Sequence, residues 1–297
     1  MSSPHWARNH HTLAPLSLVG VTAVWGGTFV VVQDSVEQMP VLPFLFWRFA
    51  LAAVVLALVR PTAIRSLTRD KRRHGMILGL LLGAGYIFQT FGLLHTSATV
   101  SGFITGMFVV FTPLIAWLVL RQPIAPAVWL GVALATLGLA LISLNGFSIG
   151  FGELLTLGCA AMFASHIVGL GQWSTVSDAY GMTVLQLGVV ALMCLVTSPL
   201  QGGLTLPPNS EVWAAIVFLA LVATALAFLA QTWAQTYMSA PRAAIVLTLE
   251  PVFAGIFGVT LGGDVLTARI VAGGVCIVAA MYVVELGSRV GRRSAVG

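Results

Sequence analysis

Two ionisable residues carry the most pointed chemistry in this chain. Arg48 lies eight residues past Pro40 and Glu250 eight residues past Arg242, each inside a long apolar run. If those runs are helices, an offset of eight residues is roughly 12 Å of depth. A charge that deep in hydrocarbon costs about 2.5 to 3.5 kcal/mol on insertion scales, so it faces a cavity, a ligand or a partner. The planar fork of Arg48 suits two-point contact with a carboxylate or another anionic group. Glu250 suits binding a cation or carrying a proton. Structural roles stand beside these: Arg48 snorkelling outward or bonding free carbonyls, Glu250 bonding groups freed by Pro251, or the two residues pairing with each other.

Other residues fall into place around this pair. Pro113 and Pro251 each remove a helix hydrogen bond at matching places in two similar stretches, which makes them candidate hinges or markers of a central site. His166 is a third titratable group in mid-run, as suited to a packing role as to a ligand. Trp25, Trp47, Gln89, Gln186 and Gln231 are candidate cavity liners, the indoles offering stacking surface and the amides orientation. Gly83, Gly85, Gly102 and Gly106 read as small residues for close helix approach. Cys159, Cys194 and Cys276 lie in apolar runs without CxxC spacing or nearby histidines, so they read as packing residues, and no metal site or other cofactor is expected. The sequence has no HExxH, GxSxG or P-loop pattern and no His/Asp cluster, which leaves a membrane-embedded enzyme a remote alternative.

The elements that must hold these residues follow from composition. Of 297 residues, 58% are hydrophobic and 8% charged, with mean hydropathy +0.99, whereas soluble domains carry about 25% charged residues. In lipid the backbone must satisfy itself, and long runs without alternation select helices over a barrel. Apolar stretches predict ten spans, at about 15–33, 40–59, 75–95, 99–120, 126–144, 152–171, 181–199, 211–235, 241–262 and 267–286. Met1 to His11 reads as a short polar tail. The fold class expected is an all-α integral membrane protein with no soluble domain.

Charge sets the orientation. With the N-terminus inside, twelve of the fourteen Lys and Arg residues fall on the cytoplasmic side; Arg48 is within a span and Arg269 at the outer edge. Positive residues accumulate inside, so both termini are expected in the cytoplasm and the chain in the cytoplasmic membrane. The net charge of +5 comes from this asymmetry and gives no reason to expect nucleic acid. The run Arg69 to Arg73 reads as an anchor at anionic headgroups.

The chain also repeats itself. Gln89-Thr90 returns as Gln231-Thr232, Ser97-Ala98 as Ser239-Ala240, Pro113-Leu114-Ile115-Ala116 as Pro251-Val252-Phe253-Ala254, and Gly131 as Gly273, in the same order. Five spans per half is an odd number, so the second half enters the membrane from the opposite side. The two halves, 1–146 and 147–297 with Asn145-Gly146 as the turn between them, are then inverted repeats about an axis in the membrane plane.

In its motifs the chain resembles the drug/metabolite transporter superfamily, and within it the EamA-type ten-helix transporters. Trp25-Gly26-Gly27-Thr28-Phe29 is similar to that family's first-helix signature. Pro43, Trp47-Arg48-Phe49 and Ala52 resemble its second helix, and Thr112-Pro113-Leu114 and Glu250-Pro251-Val252-Phe253-Ala254 its helices four and nine. Gly152-Glu153-Leu154-Leu155 resembles the start of helix six. The chain departs from the family where a Gly-Glu often follows helices four and nine: Arg121-Gln122 and Gly263-Asp264 stand there. The resemblance implies two EamA-like five-helix repeats and a secondary transporter that moves small metabolites, such as amino acids or related compounds, by alternating access. Export is the direction expected, with protons as a candidate coupling ion. A passive facilitator or channel is the alternative within transport, and a structural membrane protein a remote one. Substrate identity and oligomeric state stay open.

Overall fold

A computed structural model describes residues 5–121, 126–145, 148–237, 243, 246, 247 and 249–293. Every sequence-predicted span is matched by helix among these residues. The helices are α1 (His5–Val36), α2 (Val41–Val59), α3 (Arg69–Leu93), α4 (Ala98–Thr105), α5 (Phe108–Leu120), α6 (Pro126–Ser143), α7 (Phe151–Trp173), α8 (Ala179–Thr197), α9 (Ser210–Phe218), α10 (Ala227–Tyr237), α11 (Leu249–Thr260) and α12 (Ala268–Arg293). Seven helical stretches are long and apolar enough to cross a bilayer; Trp129–Leu141, Leu249–Thr260 and Ala268–Val283 are shorter apolar helices among the described residues.

Four details differ from the sequence reading. Helix α1 begins at His5, because nothing in the polar N-terminal residues stops a helix that the following span has nucleated. The fourth span is two helices, broken at Gly106-Met107, where amides bond three residues back: Met107 to Ile104, Val109 to Gly106 and Val110 to Met107. Further along, Pro113 within α5 leaves the Val109 carbonyl without its helical N–H. The eighth span carries a π-helical segment, Leu219–Leu226, between α9 and α10. Near the turn between the halves, Leu144-Asn145 pairs antiparallel with Ser148-Ile149; the expected boundary at 146/147, with Arg242, Ser239 and Ala240, lies outside the described residues.

Both the interior and the outer surface are apolar, as lipid contact permits. Leu58, Leu118 and Val196 are 73%, 72% and 69% exposed, while Phe44, Phe49, Leu187 and Ile216 are wholly buried. Buried hydroxyls bond back to their own helices, Thr112 to the Phe108 carbonyl, Thr156 to Gly152 and Thr183 to Ala179, which satisfies them without water. The main packings are α2 on α8, α6 on α12, α4 on α11, α3 on α7 and on α8, α1 on α10 and on α11, and α5 on α7. Glycines permit the closest of these. A Cβ at Gly102 would strike Ala254, one at Gly106 Met281 and Pro251, one at Gly85 Phe163 and one at Gly83 Met193, as expected of residues for close approach.

The two ends of the bundle are tied differently. At the end holding the basic run, Lys71 Nζ lies 3.1 Å from Asp178 Oδ2 and donates to the Trp173 carbonyl at 2.6 Å, and His74 stacks on Trp173. Asp178 also accepts from the Thr175 hydroxyl, which, with Lys71, holds its carboxyl below the usual range. At the other end Asn209 donates to Gln38, the Leu42 amide to Gln201, Thr96 to Glu153, and the Thr99 amide to Asp264.

Candidate functional site

Mid-bundle, α1, α3 and α5 from the first half meet α7, α10 and α11 from the second around a narrow cavity. Its walls include two pairs 142 residues apart in sequence, Tyr86 with Phe228 and Gln89 with Gln231. Phe108 and Glu250 also line it, so a carboxyl stands among the rings and amides.

Glu250 is 6% exposed, in the first turn of α11. Pro251 after it is tolerated there because first-turn amides have no intrahelical acceptor. Among the described residues the Glu250 carboxyl has neither a hydrogen-bond donor nor an ion-pair partner. The expected alternatives of a bond to freed backbone groups or a pair with Arg48 are therefore not what the structure holds.

Arg48 is placed one layer behind the wall. It is 2% exposed and does not line the cavity. Its Nε donates to Thr224 Oγ1 at 2.8 Å, and its guanidinium carbon sits 5.0 Å from the Tyr86 ring centroid and 5.4 Å from that of Phe49. Its Nη2 is buried without an acceptor. Tyr86 is itself on the wall, so Arg48 reaches the cavity only by packing against that ring.

The π-helix supplies both anchors behind the site. Thr224 takes Arg48, and the carbonyl of Ala223 takes the Trp25 indole N–H at 2.8 Å. Shifting the ladder to a five-residue step releases and re-aims such groups, and π-bulges often mark functional positions. An Ala- and Leu-rich run gives no sequence signal of it.

The remaining predicted residues divide between wall and support. Trp25, Gln89, Gln231 and His166 line the cavity. Gln89 Nε2 donates to Thr105 Oγ1 at 3.2 Å, and Gln231 Oε1 is buried and unpartnered. Gln186 stands behind His166, its Oε1 2.6 Å from the imidazole Nε2 and its Nε2 donating to the Met182 carbonyl. Trp47 is away from the cavity, its indole bonded to the Thr205 carbonyl and its ring against Trp213. Pro113 does not line the cavity, and Pro251 packs where α4 breaks, its Cγ 2.9 Å from where a Gly106 Cβ would be. Sequence reasoning missed the rings that make most of the wall, Phe29, Tyr86, Phe108, Phe163 and Phe228; Tyr86 packs edge-on to Phe163 and Phe228. No group of three or more metal-ligating side chains occurs among the described residues.

Known proteins fit this geometry. An Archaeoglobus fulgidus protein named "Uncharacterized transporter" is 32% identical over 92% of this chain and 86% of its own length. The Bacillus subtilis "Uncharacterized transporter YoaV" is 25% identical over 90% of this chain and 94% of its own. A solved crystal structure at 18% identity shares the fold, with TM-score 0.66 over 92% of this chain and 96% of that one. The EamA-like transporter family model matches twice, at residues 12–144 and 150–286. With both halves so matched, the chain belongs to the EamA-like transporter family, as a multi-pass membrane transporter for small molecules.

Proposed function

We propose that this transporter is a secondary carrier that exports small metabolites, such as amino acids or related compounds, across the cytoplasmic membrane by alternating access. The observation that carries the reading is the mid-bundle cavity, walled by both halves and holding a carboxyl, Glu250, that has no partner among the described residues. In this reading ten spans form two inverted five-helix repeats, 1–146 and 147–297, with both termini cytoplasmic. The double family match supports the repeat, and so does the packing: α2 meets its equivalent α8, α6 meets α12, α4 meets α11, and α3 on α7 mirrors α1 on α10. Arg121 after α5 and Gly263 after α11, again 142 apart, both have positive φ, 54° and 69°.

Glu250 binds the substrate or carries the coupling proton. Trp25, Gln89, Gln231 and His166 meet the substrate; Arg48 and Gln186 position Tyr86 and His166. The α4–α5 break by Pro113 and the start of α11 at Pro251 pack together, so they serve as paired hinges. Untargeted profiling of compounds inside and outside overproducing cells, wild type against Glu250→Gln, tests the proposal. A compound that accumulates outside against its gradient with wild type alone supports it. Equal profiles, or a compound that merely equilibrates in both, contradict it; the latter is the signature of a passive facilitator.

A further inference from the structure

Polar groups on the cavity wall have spent their donors on the protein itself. The Trp25 indole N–H goes to the Ala223 carbonyl, the Thr28 hydroxyl to the Trp25 carbonyl, and a Gln89 amide hydrogen to Thr105. His166 Nε2 faces Gln186 Oε1, and that amide is oriented by its own bond to the Met182 carbonyl. The ring hydrogen therefore belongs on Nε2, and a neutral imidazole so held keeps a lone pair at Nδ1. What remains for a ligand is chiefly acceptors: the Glu250 carboxylate, Gln231 Oε1 and the lone pairs of Thr28 Oγ1. Tyr86, the Gln231 amide and the second Gln89 amide hydrogen are the donors left on the wall.

Charge on the wall has the same bias. Glu250 is the one charged residue lining the cavity among the described residues, and the nearby cation, Arg48, lies behind the wall against Thr224, Phe49 and the outer face of Tyr86. Six aromatic side chains complete the enclosure, Trp25, Phe29, Tyr86, Phe108, Phe163 and Phe228. Ring faces attract ammonium groups, and an ammonium brings three donors and no acceptor. A carboxylate entering the same space meets lone pairs and a like charge, and gives up its hydration with few donors in return.

Resting on the reading of this cavity as the transport site, we infer that the substrate is a monovalent organic amine with an apolar or aromatic body and no carboxylate, its ammonium held by Glu250. Within the broader class of amino acids and related compounds, this selects amines over zwitterionic amino acids.

Three probes sharing one body test it: phenethylamine, phenylalanine and 3-phenylpropionate, titrated calorimetrically into the purified full-length protein in lipid nanodiscs. Phenethylamine binds, and the other two bind at least about tenfold more weakly, as expected when a charged hydrogen bond worth about 1.5 to 3 kcal/mol is lost or opposed. Glu250→Gln weakens phenethylamine by about ten- to a hundredfold on the same scale, while Glu250→Asp keeps part of the affinity. Size-exclusion profiles of both variants exclude misfolding as the cause. Phenylalanine binding as tightly as phenethylamine overturns the inference, as does no binding by any probe. Phe163→Trp, which fills the cavity, separates the two levels. If it blocks a tightly bound phenylalanine, the cavity remains the site and the choice of amine falls. If phenethylamine binds equally to wild type, Glu250→Gln and Phe163→Trp, both readings fall.

Discussion

Replacing Thr224 with valine removes one oxygen and almost no volume, which makes it a clean probe of how Arg48 is held. The Arg48 Nε–H loses its acceptor at 2.8 Å, and neither residue has water within reach, Arg48 being 2% and Thr224 0% exposed. A net hydrogen bond from a charged donor is worth about 1.5 to 3 kcal/mol, and nothing on the valine replaces it. The ring contacts at 5.0 and 5.4 Å persist, since they depend on Tyr86 and Phe49 rather than on Thr224. Nη2 is already unpaired, so the variant leaves a second guanidinium nitrogen without an acceptor. We expect a loss of about 2 kcal/mol in the unfolding free energy. Thr224→Ser keeps the acceptor and should lose only about 0.8 kcal/mol for the missing methyl group. The assay is reversible SDS unfolding in mixed micelles, followed by far-UV circular dichroism. In an Arg48→Met background the valine change should cost little, because a buried charge exchanged for an apolar side chain no longer asks for a partner. Thr224→Val within about 0.5 kcal/mol of wild type, or an equal loss in the Arg48→Met background, would refute the reasoning.

Further expectations follow from other parts of the structure. A methyl at Gly26 meets Phe253 and lies 2.8 Å from the Ala254 backbone nitrogen, so Gly26→Ala should cost about 1 to 3 kcal/mol in the same unfolding assay. Gly27→Ala meets only the Phe257 ring at 3.3 Å and should cost less; equal losses would contradict this packing of α1 on α11. Arg121 holds φ 54°, ψ 28°, a conformation that costs an L-residue about 1 to 2 kcal/mol, so Arg121→Gly should raise the unfolding midpoint despite the extra freedom of glycine in the unfolded chain. The Asp178 carboxyl, held low first by Thr175 and then by Lys71, contributes stability that is present above its unfolded value of about 3.9 and lost as pH falls through its lower folded value. Asp178→Asn should flatten that acid limb of the stability curve while costing less than about 1 kcal/mol at neutral pH; an unchanged acid limb would count against the contact.

Depth was legible in the sequence and direction was not. Glu250 and Arg48 stood out because a charge within an apolar run is conspicuous whichever way it points. Which way it points depends on the neighbours, and Arg48 turned towards Thr224, on a segment 176 residues away. Tyr86 and Phe228 escaped notice for the opposite reason. In a helix apolar on every side, a ring on the cavity wall looks like a ring in lipid, and Leu118 at 72% exposure looks like Leu187 at none. Tyr86 and Phe228 do keep the 142-residue offset of Gln89 and Gln231, the one mark in the sequence that sets them apart from other rings. The π-helix had no such signal. It is a shift in hydrogen-bond step within an Ala- and Leu-rich run, and its Thr224 and Ala223 bond Arg48 and Trp25 from distant helices.

Alternating access to the cavity is the centre of the account, and Gln231 is the place to test it. Its side chain lines the wall and its Oε1 has no partner, so Gln231→Cys removes little that holds the fold. In a background with Cys159, Cys194 and Cys276 replaced by alanine, a membrane-impermeant maleimide is applied to the outer side of oriented vesicles or to the inner side. The account predicts labelling from both sides, each slowed when the transported compound is present. Labelling from one side alone at a rate indifferent to that compound, or from neither, would contradict it.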